Sequence, residues 1–468
     1  MIGQNNSRCI IHVGLDDFDL YFYGCTTHAA TFIIHKLVEL LPIQFIDYPN
    51  LVRLNPSIPW KTRGNGAVAL RFAIPCSHVE KTLTVIEKAA LEYYEKLSKA
   101  TGIELDETGK EPGILVALDP LPQIFAKLYT SALTDVVPYA VALEKIRSLR
   151  NSIYLIEKFG GRGIVGAAAA IGWITQNSDY TYELIAYRSK YRYTVPRCID
   201  HESVKHFAEL TSRTTFNNID FETGRILITS HSFDPVLYGV RGDSVDDLAR
   251  ALEIIRTCEP VVAWTLFRTN QGTDAHIVDR RVENMRTYRT GRLKLKIISN
   301  PETIPGGHVI VRGSDGTGSI TLALFKPSGL TTIAKKLTIG DEIIVQGHAK
   351  PWRDSTCFHV EKIAVLKLTK LYSCKAPRCP ICGKRMTKSG FGKGYKCRYC
   401  GYRSLSLYPE CRELLREIQP KLFLPPPSEQ KHLIKPLTRY GRERASHPLL
   451  APVEVSKFTR IIEPPGFL

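Results

Sequence analysis

Four cysteines constrain the fold of this chain more tightly than any other sequence pattern. Cys379 and Cys382 form one Cys-x-x-Cys pair, and Cys397 and Cys400 form a second pair after fourteen intervening residues. A glycine follows each pair, as is typical of the knuckles of a tetrahedral four-thiolate Zn²⁺ site. The sequence therefore predicts a zinc ribbon over residues 373–408. Basic and aromatic residues interleave within it, which favours a ribbon that faces nucleic acid.

The charge of the whole chain also indicates an acidic partner. Its 468 residues carry a formal net charge of +17 and a sequence pI of about 9.3, and nucleic acid is the commonest partner of such a protein. A transmembrane helix needs a run of roughly 18 apolar residues, and the sequence has none, so we expect no membrane association. The remaining cysteines are scattered. That distribution predicts a reducing, cytoplasmic environment and no disulfide framework.

An acidic loop lies between a predicted strand and a predicted helix near the N-terminus. Residues 10–15 are apolar and β-branched, and residues 29–41 have apolar side chains at helical spacing. The strand is followed by the aspartates Asp16, Asp17 and Asp19, and the helix is preceded by Thr26 and Thr27. Backbone N–H groups at a helix N-terminus can bind a phosphate, and crowded carboxylates can share Mg²⁺ with nucleotide phosphates. A solvated turn that caps the helix would explain the same residues.

A second loop offers positive charge to a phosphate. Residues 55–67 form an irregular loop, rich in proline and glycine, that presents Lys61, Arg63 and Asn65 on one side. Two cations and an amide beside a carboxylate cluster suit a metal–triphosphate complex. An ordinary surface loop could have the same composition.

A third loop carries a glycine pattern. Residues 161–166 match the pattern of a dinucleotide-binding turn, with Gly161, Arg162 and Gly163 at its start. No clear βαβ unit follows, which argues against nicotinamide binding. The sequence leaves two explanations. The loop faces a phosphate or RNA through Arg162, or the glycines permit close helix packing.

Strands and helices alternate from residue 180 onward and predict a ferredoxin-like α/β domain over residues 176–285. Strands are expected at 182–188, 225–230, 236–241 and 261–268, and helices at 202–210 and 245–257. Two loops of this domain are denser in polar side chains than a mere connection requires. We expect the following residues to bind substrate: Asp234, Arg241, Asp243, Arg268, Asp274 and His276.

An all-β domain is predicted for residues 286–372. The five expected strands are 293–298, 308–312, 319–325, 342–349 and 358–366. A helix-like insert at 329–336 falls between the third and fourth strands, which is the arrangement of an OB-fold, a barrel that binds oligonucleotides. Residues 409–468 contain proline and many basic positions but little periodicity. We expect them to form a tail that wraps on the body of the protein or on RNA.

Several segments together resemble the archaeal tRNA-Ile 2-agmatinylcytidine synthetases, also called agmatidine synthases. The matching segments are GLDDFD…GCTTH, NPSIPWKTRGNGA, GGRGIVGA, DPVLYGVRGD, FRTNQGTDAH, the predicted OB-fold and CPIC…CRYC, which together span about residues 10–405. The resemblance implies that residues 1–175 form a kinase-like α/β domain that uses ATP. It also implies that tRNA-Ile with a CAU anticodon and agmatine are the substrates. The expected architecture is therefore multidomain, with α/β and all-β parts.

The resemblance also implies a reaction and the role of one residue in it. In that family ATP activates the 2-carbonyl of the wobble cytidine, agmatine replaces the oxygen, and the anticodon then reads AUA. ATP is broken to AMP and phosphates, and the threonine that becomes phosphorylated falls on Thr26 here. The family usually has Thr and Ser flanking the third aspartate, whereas this chain has Phe18 and Leu20. The acidic residues are kept, but two hydroxyls that could assist metal or phosphate binding are missing.

The sequence leaves open which residue binds agmatine, and it allows two other functions. A carboxylate can grip a guanidinium through two hydrogen bonds, and Asp234, Asp243 and Asp274 are equal candidates for this role in agmatine binding. A non-enzymatic single-strand binder would also contain an OB-fold and a zinc ribbon, but it would leave the first 280 residues without a role. Another ATP-dependent RNA-modifying enzyme is the second alternative. Turnover of ATP would separate the pure binder from either enzyme.

Overall fold

The computed structural model describes residues 7–19, 23–61, 64–104, 109–149, 152–176, 178–230, 233–352, 355–445, 447 and 450–467. Arg63 and Leu20 lie outside these ranges. The helices within them are α1 (Thr26–Leu40), α2 (Val79–Thr101), α3 (Ile124–Thr134), α4 (Tyr139–Arg147), α5 (Ile164–Gly172), α6 (His201–Leu210), α7 (Val245–Ala249), α8 (Ala251–Ile254), α9 (Thr331–Ala334) and α10 (Pro464–Phe467). In the described ranges, none of these helices has the length and apolar character that crossing a membrane requires.

The strands lie mostly in two large sheets. In chain order they are β1 (Arg8–Asp16), β2 (Gln44–Phe45), β3 (Asn50–Arg53), β4 (Gly66–Pro75), β5 (Gly113–Leu118), β6 (Ile153–Gly160), β7 (Thr181–Arg188), β8 (Thr215–Phe216), β9 (Ile219–Asp220), β10 (Arg225–Ile226), β11 (Val236–Gly242), β12 (Val261–Thr269), β13 (Thr290–Ile297), β14 (Glu302–Ile304), β15 (His308–Ser314), β16 (Ser319–Leu324), β17 (Glu342–Trp352), β18 (Ser355–Lys367), β19 (Leu371–Lys375), β20 (Thr387–Lys388), β21 (Tyr395–Lys396), β22 (Arg403–Ser404), β23 (Glu410–Leu414), β24 (Leu422–Phe423) and β25 (Thr459–Ile461). The protein is thus a mixed α/β and sheet-rich molecule.

One eleven-stranded sheet runs through both of the expected N-terminal domains. Its order is β6-β5-β1-β4-β3-β12-β7-β11-β8, with β2 paired to β4 and β25 paired to β12. β3 and β12 join its two halves as a parallel pair, with Arg268 opposite Asn50. The two halves that the sequence separates at residue 175 therefore share a sheet. Their division into domains stays a prediction.

The centre of this sheet positions the acidic loop. β1 lies between β4 and β5, and its side chains Ile11, Val13 and Leu15 are fully buried. A Cβ at Gly14 would lie 2.2 Å from the carbonyl oxygen of Ala167 in α5. Because glycine alone permits this approach, α5 packs directly across β1. The N-terminal end of α5 consequently lies beside Asp16, the last residue of β1.

Two expected elements of the second half differ in the structure. The helix expected at 245–257 is divided into α7 and α8, which meet at Arg250. The strand expected at 225–230 is only β10, which pairs with β9 in a separate two-stranded sheet. The apolar residues that suggested longer elements, among them Ile228, Leu248 and Ile255, are instead buried against the large sheet from short segments. Tertiary burial thus replaces regular secondary structure here.

A second sheet closes on itself between residues 290 and 367. β13 pairs with β17 and also with β15, so that β13, β17, β18, β16 and β15 form a ring, with β14 and β24 added at its margin. All five expected strands are present, and α9 lies between β16 and β17 where the insert was expected. The core of the ring is mostly aliphatic and includes Leu293, Val311 and Ile363, together with Phe358.

The C-terminal segments pack on the body of the protein. The sheet β20-β21-β22 carries the four-cysteine pattern, and β19 pairs with β23 beside it. Beyond them, β25 extends the large sheet through β12, and the Arg439 side chain is buried. The described part of the tail therefore wraps on the protein itself.

Three disulfide bonds correct the expectation that the remaining cysteines are unpaired. They join Cys9 to Cys76, Cys198 to Cys258 and Cys374 to Cys411, at sequence separations of 67, 60 and 37 residues. Strand pairing brings them together, as in the register of β19 and β23, where Cys374 faces Cys411. Spacing along the sequence cannot reveal such contacts. Disulfides occur in oxidising compartments and also in intracellular proteins of hyperthermophiles, so a cytoplasmic location stays a prediction.

Candidate active site

A cavity of about 730 Å³ lies at the C-terminal end of β1. We call it the acidic cavity. Its lining includes seven residues that the sequence singled out: Asp16, Asp17, Asp19, Lys61, Asn65, Arg162 and Gly163. Trp60 and Val137 add apolar walls, and the guanidinium of Arg162 lies 5.6 Å from the centre of the Trp60 ring. Charged and apolar surfaces thus meet in one concave site, as is usual for a nucleotide pocket.

Asp16 is a buried carboxyl group with acidic neighbours. Its pKa is raised to about 8, first by burial and then by the neighbouring carboxylates of Asp17 and Asp19. The pKa of Asp17 is also raised, mainly by burial. A cation would relieve both causes, because it stabilises the ionised carboxylates that burial and mutual repulsion disfavour. The oxygen donors fit a hard divalent cation such as Mg²⁺.

Backbone contacts fix the conformation of the acidic loop. Asp17 has a φ of 62°, and its carboxylate accepts a hydrogen bond of 2.9 Å from the backbone N–H of Glu111. The Nζ of Lys110 lies 4.0 Å from the same carboxylate. Phe18 is fully buried and stacks on Tyr94, with 5.4 Å between the ring centres. The residue that departs from the family pattern therefore anchors the loop in the core.

The glycine loop packs closely against its neighbours and also lines the acidic cavity. A Cβ at Gly166 would lie 1.8 Å from Oδ2 of Asp16, and a Cβ at Gly163 would lie 2.5 Å from the backbone nitrogen of Gly113. These positions need glycine for close packing. Arg162 and Gly163 also line the acidic cavity, whereas Gly161 does not belong to its lining. The N–H of Gly161 donates to the carbonyl of Pro112 over 3.1 Å.

A second cavity, of about 1030 Å³, adjoins the first. We call it the threonine cavity, because Thr26 and Thr27 at the start of α1 line it. It shares Asp19, Asn65 and Gly66 with the acidic cavity. Its opposite wall comes from the second half of the large sheet and includes Glu183, Asp234 and Arg241. A molecule in this cavity would contact both halves of the sheet and lie next to the acidic loop.

The two threonines have different hydroxyl contacts. The backbone N–H of Phe18 donates to Oγ1 of Thr26 over 3.3 Å. Oγ1 of Thr27 lies 3.3 Å from Sγ of Cys25. Both side chains are nearly buried, with 4% and 9% of their surfaces exposed. Thr26 is therefore the threonine held directly against the acidic loop.

Two carboxylates occupy the far wall of the threonine cavity. Asp234 accepts hydrogen bonds from Arg197 over 2.8 Å and from the backbone N–H of Val236 over 2.9 Å. Glu183 accepts a hydrogen bond from the amide nitrogen of Gln271. It also lies 3.5 Å from Arg53 and 3.8 Å from Arg241. The cavity thus contains acidic groups that are fixed in place and cations beside them.

Four residues expected to bind substrate lie outside the linings of both cavities. Asp243 forms an ion pair of 3.0 Å with Arg439, and Asp274 forms one of 2.5 Å with Lys362. The buried Arg268 pairs with Asp47, and His276 lies 2.9 Å from Glu361. In the structure these side chains join the second half of the large sheet to the barrel, to the tail and to the segment before β3. Asp234 and Arg241 remain in the site.

Several residues that line the two cavities were not predicted from the sequence. Glu183 lies within the mostly apolar β7, whose other charged residue is Arg188 at its end, and Arg53 is the charged residue of β3. This is a usable signal because buried charges require partners. Trp60 lies within the predicted cation-bearing loop, and its exposure of 48% was not foreseen. His432 lines the threonine cavity from the tail, 416 residues after Asp16, so no local pattern could have placed it there.

The four predicted metal ligands come together in the ribbon. One sulfur from each of Cys379, Cys382, Cys397 and Cys400 lies within 4.8 Å of all the others. The closest pairs are Cys382 with Cys397 at 3.4 Å and Cys379 with Cys400 at 3.5 Å. Thiolates around zinc in a tetrahedron lie at such separations. The donor set therefore fits a metal ion, with zinc as the natural occupant of four sulfurs.

Family models match three parts of the chain. The TiaS TCKD domain matches residues 12–158, the TiaS FLD domain matches residues 161–276, and the TiaS C-terminal zinc ribbon domain matches residues 376–418. The acidic loop and both threonines fall in the first match, the far wall of the threonine cavity in the second, and the four cysteines in the third.

Whole-length relatives show the same similarity. A tRNA(Ile2) 2-agmatinylcytidine synthetase TiaS from Ignisphaera aggregans is 52% identical over 97% of this chain and 98% of the relative. One from Staphylothermus marinus is 40% identical over 94% and 95%. A solved TiaS–tRNA(Ile2)–ATP complex matches with a TM-score of 0.79 and 32% identity, over 92% of this chain and 97% of the other. A TiaS–tRNA(Ile2)–AMPCPP–agmatine complex matches with a TM-score of 0.76 and 30% identity over the same shares.

Proposed function

The chain belongs to the family of the tRNA(Ile2) 2-agmatinylcytidine synthetases, and we propose that its two cavities divide the steps of that reaction. The protein is an ATP-dependent ligase that modifies tRNA(Ile2) with agmatine and so produces agmatidine. A non-enzymatic single-strand binder is not favoured, because the relatives are named as synthetases and their solved complexes include ATP, an ATP analogue and agmatine.

The acidic cavity binds the triphosphate of ATP in this proposal. Asp16, Asp17 and Asp19 hold Mg²⁺, which when bound would neutralise charge on the phosphates. Lys61 and Arg162 of the same lining supply cations to the phosphate oxygens, and Trp60 offers an apolar surface to the base or ribose. The raised pKa of Asp16 supports the metal assignment. Arg63 is proposed for the same role, although it lies outside the described residues.

The threonine cavity receives the cytidine and agmatine. A carbonyl oxygen is a poor leaving group, so the 2-carbonyl oxygen of the cytidine must first be phosphorylated or adenylated. The neutral amine of agmatine then forms a bond to C2, loses a proton, and the oxygen departs with its phosphate. Asp234 is proposed to orient agmatine, because it alone among the three candidate aspartates lines this cavity. Agmatine carries a positive charge at each end, and the second carboxylate, Glu183, faces the same space.

RNA binding is assigned to the barrel and the ribbon. The closed ring of β13, β17, β18, β16 and β15, with α9 between β16 and β17, supports an OB-fold. The ribbon exposes Phe391 and Tyr399, whose rings can stack on unpaired bases. Between residues 375 and 403 the sequence contains no acidic residue. These surfaces would hold the tRNA while the wobble base enters the threonine cavity.

The shared border of the two cavities is the observation that carries this proposal. Asp19, Asn65 and Gly66 line both of them. A phosphoryl group at the acidic loop therefore has direct access to an acceptor beside Thr26 and to a substrate that faces Asp234. Neither a simple RNA binder nor a simple kinase requires a second cavity with two fixed carboxylates at this position.

Mass spectrometry of tRNA-Ile tests the function. Incubation of the full chain with the tRNA, ATP and agmatine is expected to add agmatine to the wobble cytidine with loss of water. Omission of either ATP or agmatine should leave the mass unchanged, and a tRNA with a different wobble base is the matched control. An unmodified tRNA in the complete reaction would contradict the proposed function.

Loss of a ribbon cysteine should separate tRNA binding from ATP binding. Cys397→Ser is expected to release zinc, because three thiolates and a hydroxyl bind it far less well. We expect tRNA affinity to fall roughly tenfold or more, since phosphate contacts of the ribbon are lost, while ATP binding without tRNA stays nearly intact. Metal analysis and a tRNA titration measure both effects. Cys357→Ala, which removes a buried thiol outside the ribbon, should retain the zinc. Absence of zinc from the unmodified protein would refute the assignment.

A further inference from the structure

The tail is anchored to the second half of the large sheet by a buried arginine. Arg439 is only 1% exposed. Its guanidinium donates to Asp179 over 2.9 Å and to the carbonyl of Gly272 over 2.7 Å, and it pairs with Asp243 at 3.0 Å. A fully buried guanidinium with several charge-assisted partners is costly to break. This part of the tail is therefore a fixed component of the fold.

Backbone hydrogen bonds then hold one tail segment beside the loop that follows β12. The N–H of Gly272 donates to the carbonyl of His432, and the N–H of Asp274 donates to the carbonyl of Leu433, each over 2.8 Å. The backbone N–H of Lys435 donates to the carboxylate of Asp274 over 2.7 Å. His432 is thereby fixed at the border of the threonine cavity, which it lines.

A chain of side-chain hydrogen bonds leads from His432 into the cavity. Nδ1 of His432 lies 2.8 Å from Oε1 of Gln271. The amide nitrogen of Gln271 donates to Glu183, so its oxygen accepts from Nδ1 of His432, and the guanidinium of Arg241 lies farther from the same Nδ1, at 3.5 Å. Gln271 is fully buried and Glu183 is 5% exposed. Buried polar groups of this kind keep one orientation only while their partners remain.

The other side of the imidazole meets the loop that carries Lys61 and Asn65. A Cβ at Gly64 would lie 2.7 Å from Cδ2 and 2.8 Å from Nε2 of His432. The pKa of His432 is lowered well below its usual range, mainly by burial and then by Arg53, Arg241 and Lys61. A neutral ring has one N–H, and the hydrogen bond to Gln271 uses it. His432 thus connects the wall of one cavity to a loop shared with the other.

We infer that His432 of the C-terminal tail is a positioning residue for the amine substrate, which acts through Gln271 to orient the carboxylate of Glu183 toward the threonine cavity. The inference rests on the proposed function, because it requires that agmatine binds there. The tail is then part of the substrate site. Glu183 provides a second negative group for a substrate that is positively charged at both ends, and its direction depends on a residue at the border of the cavity.

Two substitutions at one position test this role. His432→Ala removes the donor to Gln271 and should raise the KM for agmatine about tenfold, the size expected when a buried hydrogen bond is lost. The KM for ATP, the affinity for tRNA and the kcat should change by less than about threefold. His432→Asn places an amide N–H near the position of Nδ1 and should restore most of the agmatine KM. His206→Ala, at an exposed histidine of α6, is the matched control.

The outcomes separate this inference from the proposed function. If the unmodified protein makes agmatidine but His432→Ala leaves the agmatine KM unchanged, the inference is overturned and the function stands. A parallel rise in all three substrate constants, or no rescue by His432→Asn, would show that the residue only stabilises the fold. If the unmodified protein makes no agmatidine, the proposed function fails first, and this inference fails with it. Thermal midpoints of the variants, measured alongside, identify any that unfold.

Discussion

Replacement of Asp16 by alanine is expected to reduce ATP turnover by roughly a thousandfold or more, while tRNA affinity stays nearly unchanged. Asp16 is the carboxylate most strongly affected by burial and by its acidic neighbours, which is the environment that a divalent cation would relieve. Without it, the proposed cation and the phosphates would lose their alignment. The proposed RNA contacts lie on the barrel and the ribbon and should remain in place. Turnover of ATP in the presence of tRNA and agmatine, and a separate tRNA titration, measure the two quantities.

Two further variants make this result specific to the charge. Asp16→Asn keeps the size and polarity of the side chain and should be nearly as inactive as Asp16→Ala. Glu157→Ala, which removes an exposed carboxylate of β6 outside both cavities, should retain full turnover. Neither change at Asp16 should unfold the protein, because removal of a buried carboxyl group with a raised pKa relieves an unfavourable burial. Full turnover by Asp16→Asn would exclude Asp16 as a metal ligand.

The local features of this site could be predicted from the sequence, because each depends on residues close together in the chain. The aspartates follow directly after β1, and Thr26 and Thr27 begin α1. A strand that ends in an acidic loop and continues into a helix fixes this arrangement without reference to the rest of the fold. The cysteine pairs are similar, since each knuckle is local and only two of them must meet. The five barrel strands were predicted for the same reason, from turns and alternation.

The choice among the acidic residues of the second half could not be predicted. Asp234, Asp243 and Asp274 have similar sequence surroundings, but the parallel pairing of β3 with β12 determines which of them faces Thr26. Asp243 and Asp274 instead pair with Arg439 and Lys362, partners that are 196 and 88 residues away in the chain. Contacts of this length depend on the register of the whole sheet. The three disulfides and the contribution of His432 also depend on contacts between residues far apart in the chain, so they could not be predicted either.

The difference between the two threonines leads to the sharpest prediction. Thr26→Val keeps the volume of the side chain and removes its hydroxyl, and incubation with γ-labelled ATP is expected to label the unmodified protein but not this variant. The resemblance to the family places the phosphorylated threonine on Thr26. The structure adds a physical reason, because Oγ1 of Thr26 accepts the N–H of Phe18, between Asp17 and Asp19. Its hydroxyl is therefore held where the acidic loop would present a γ-phosphoryl group.

Thr27→Val is the matched control for this experiment. Its hydroxyl contacts Sγ of Cys25 rather than the acidic loop, so this variant should still be labelled at the level of the unmodified protein. Label that persists in the Thr26 variant and disappears in the Thr27 variant would move the phosphate acceptor by one residue. Label that persists in both would remove the covalent threonine step from the mechanism, and the phosphoryl group would then pass from ATP directly to the cytidine oxygen. Because the two cavities share Asp19, that direct route needs no other change to the proposed site.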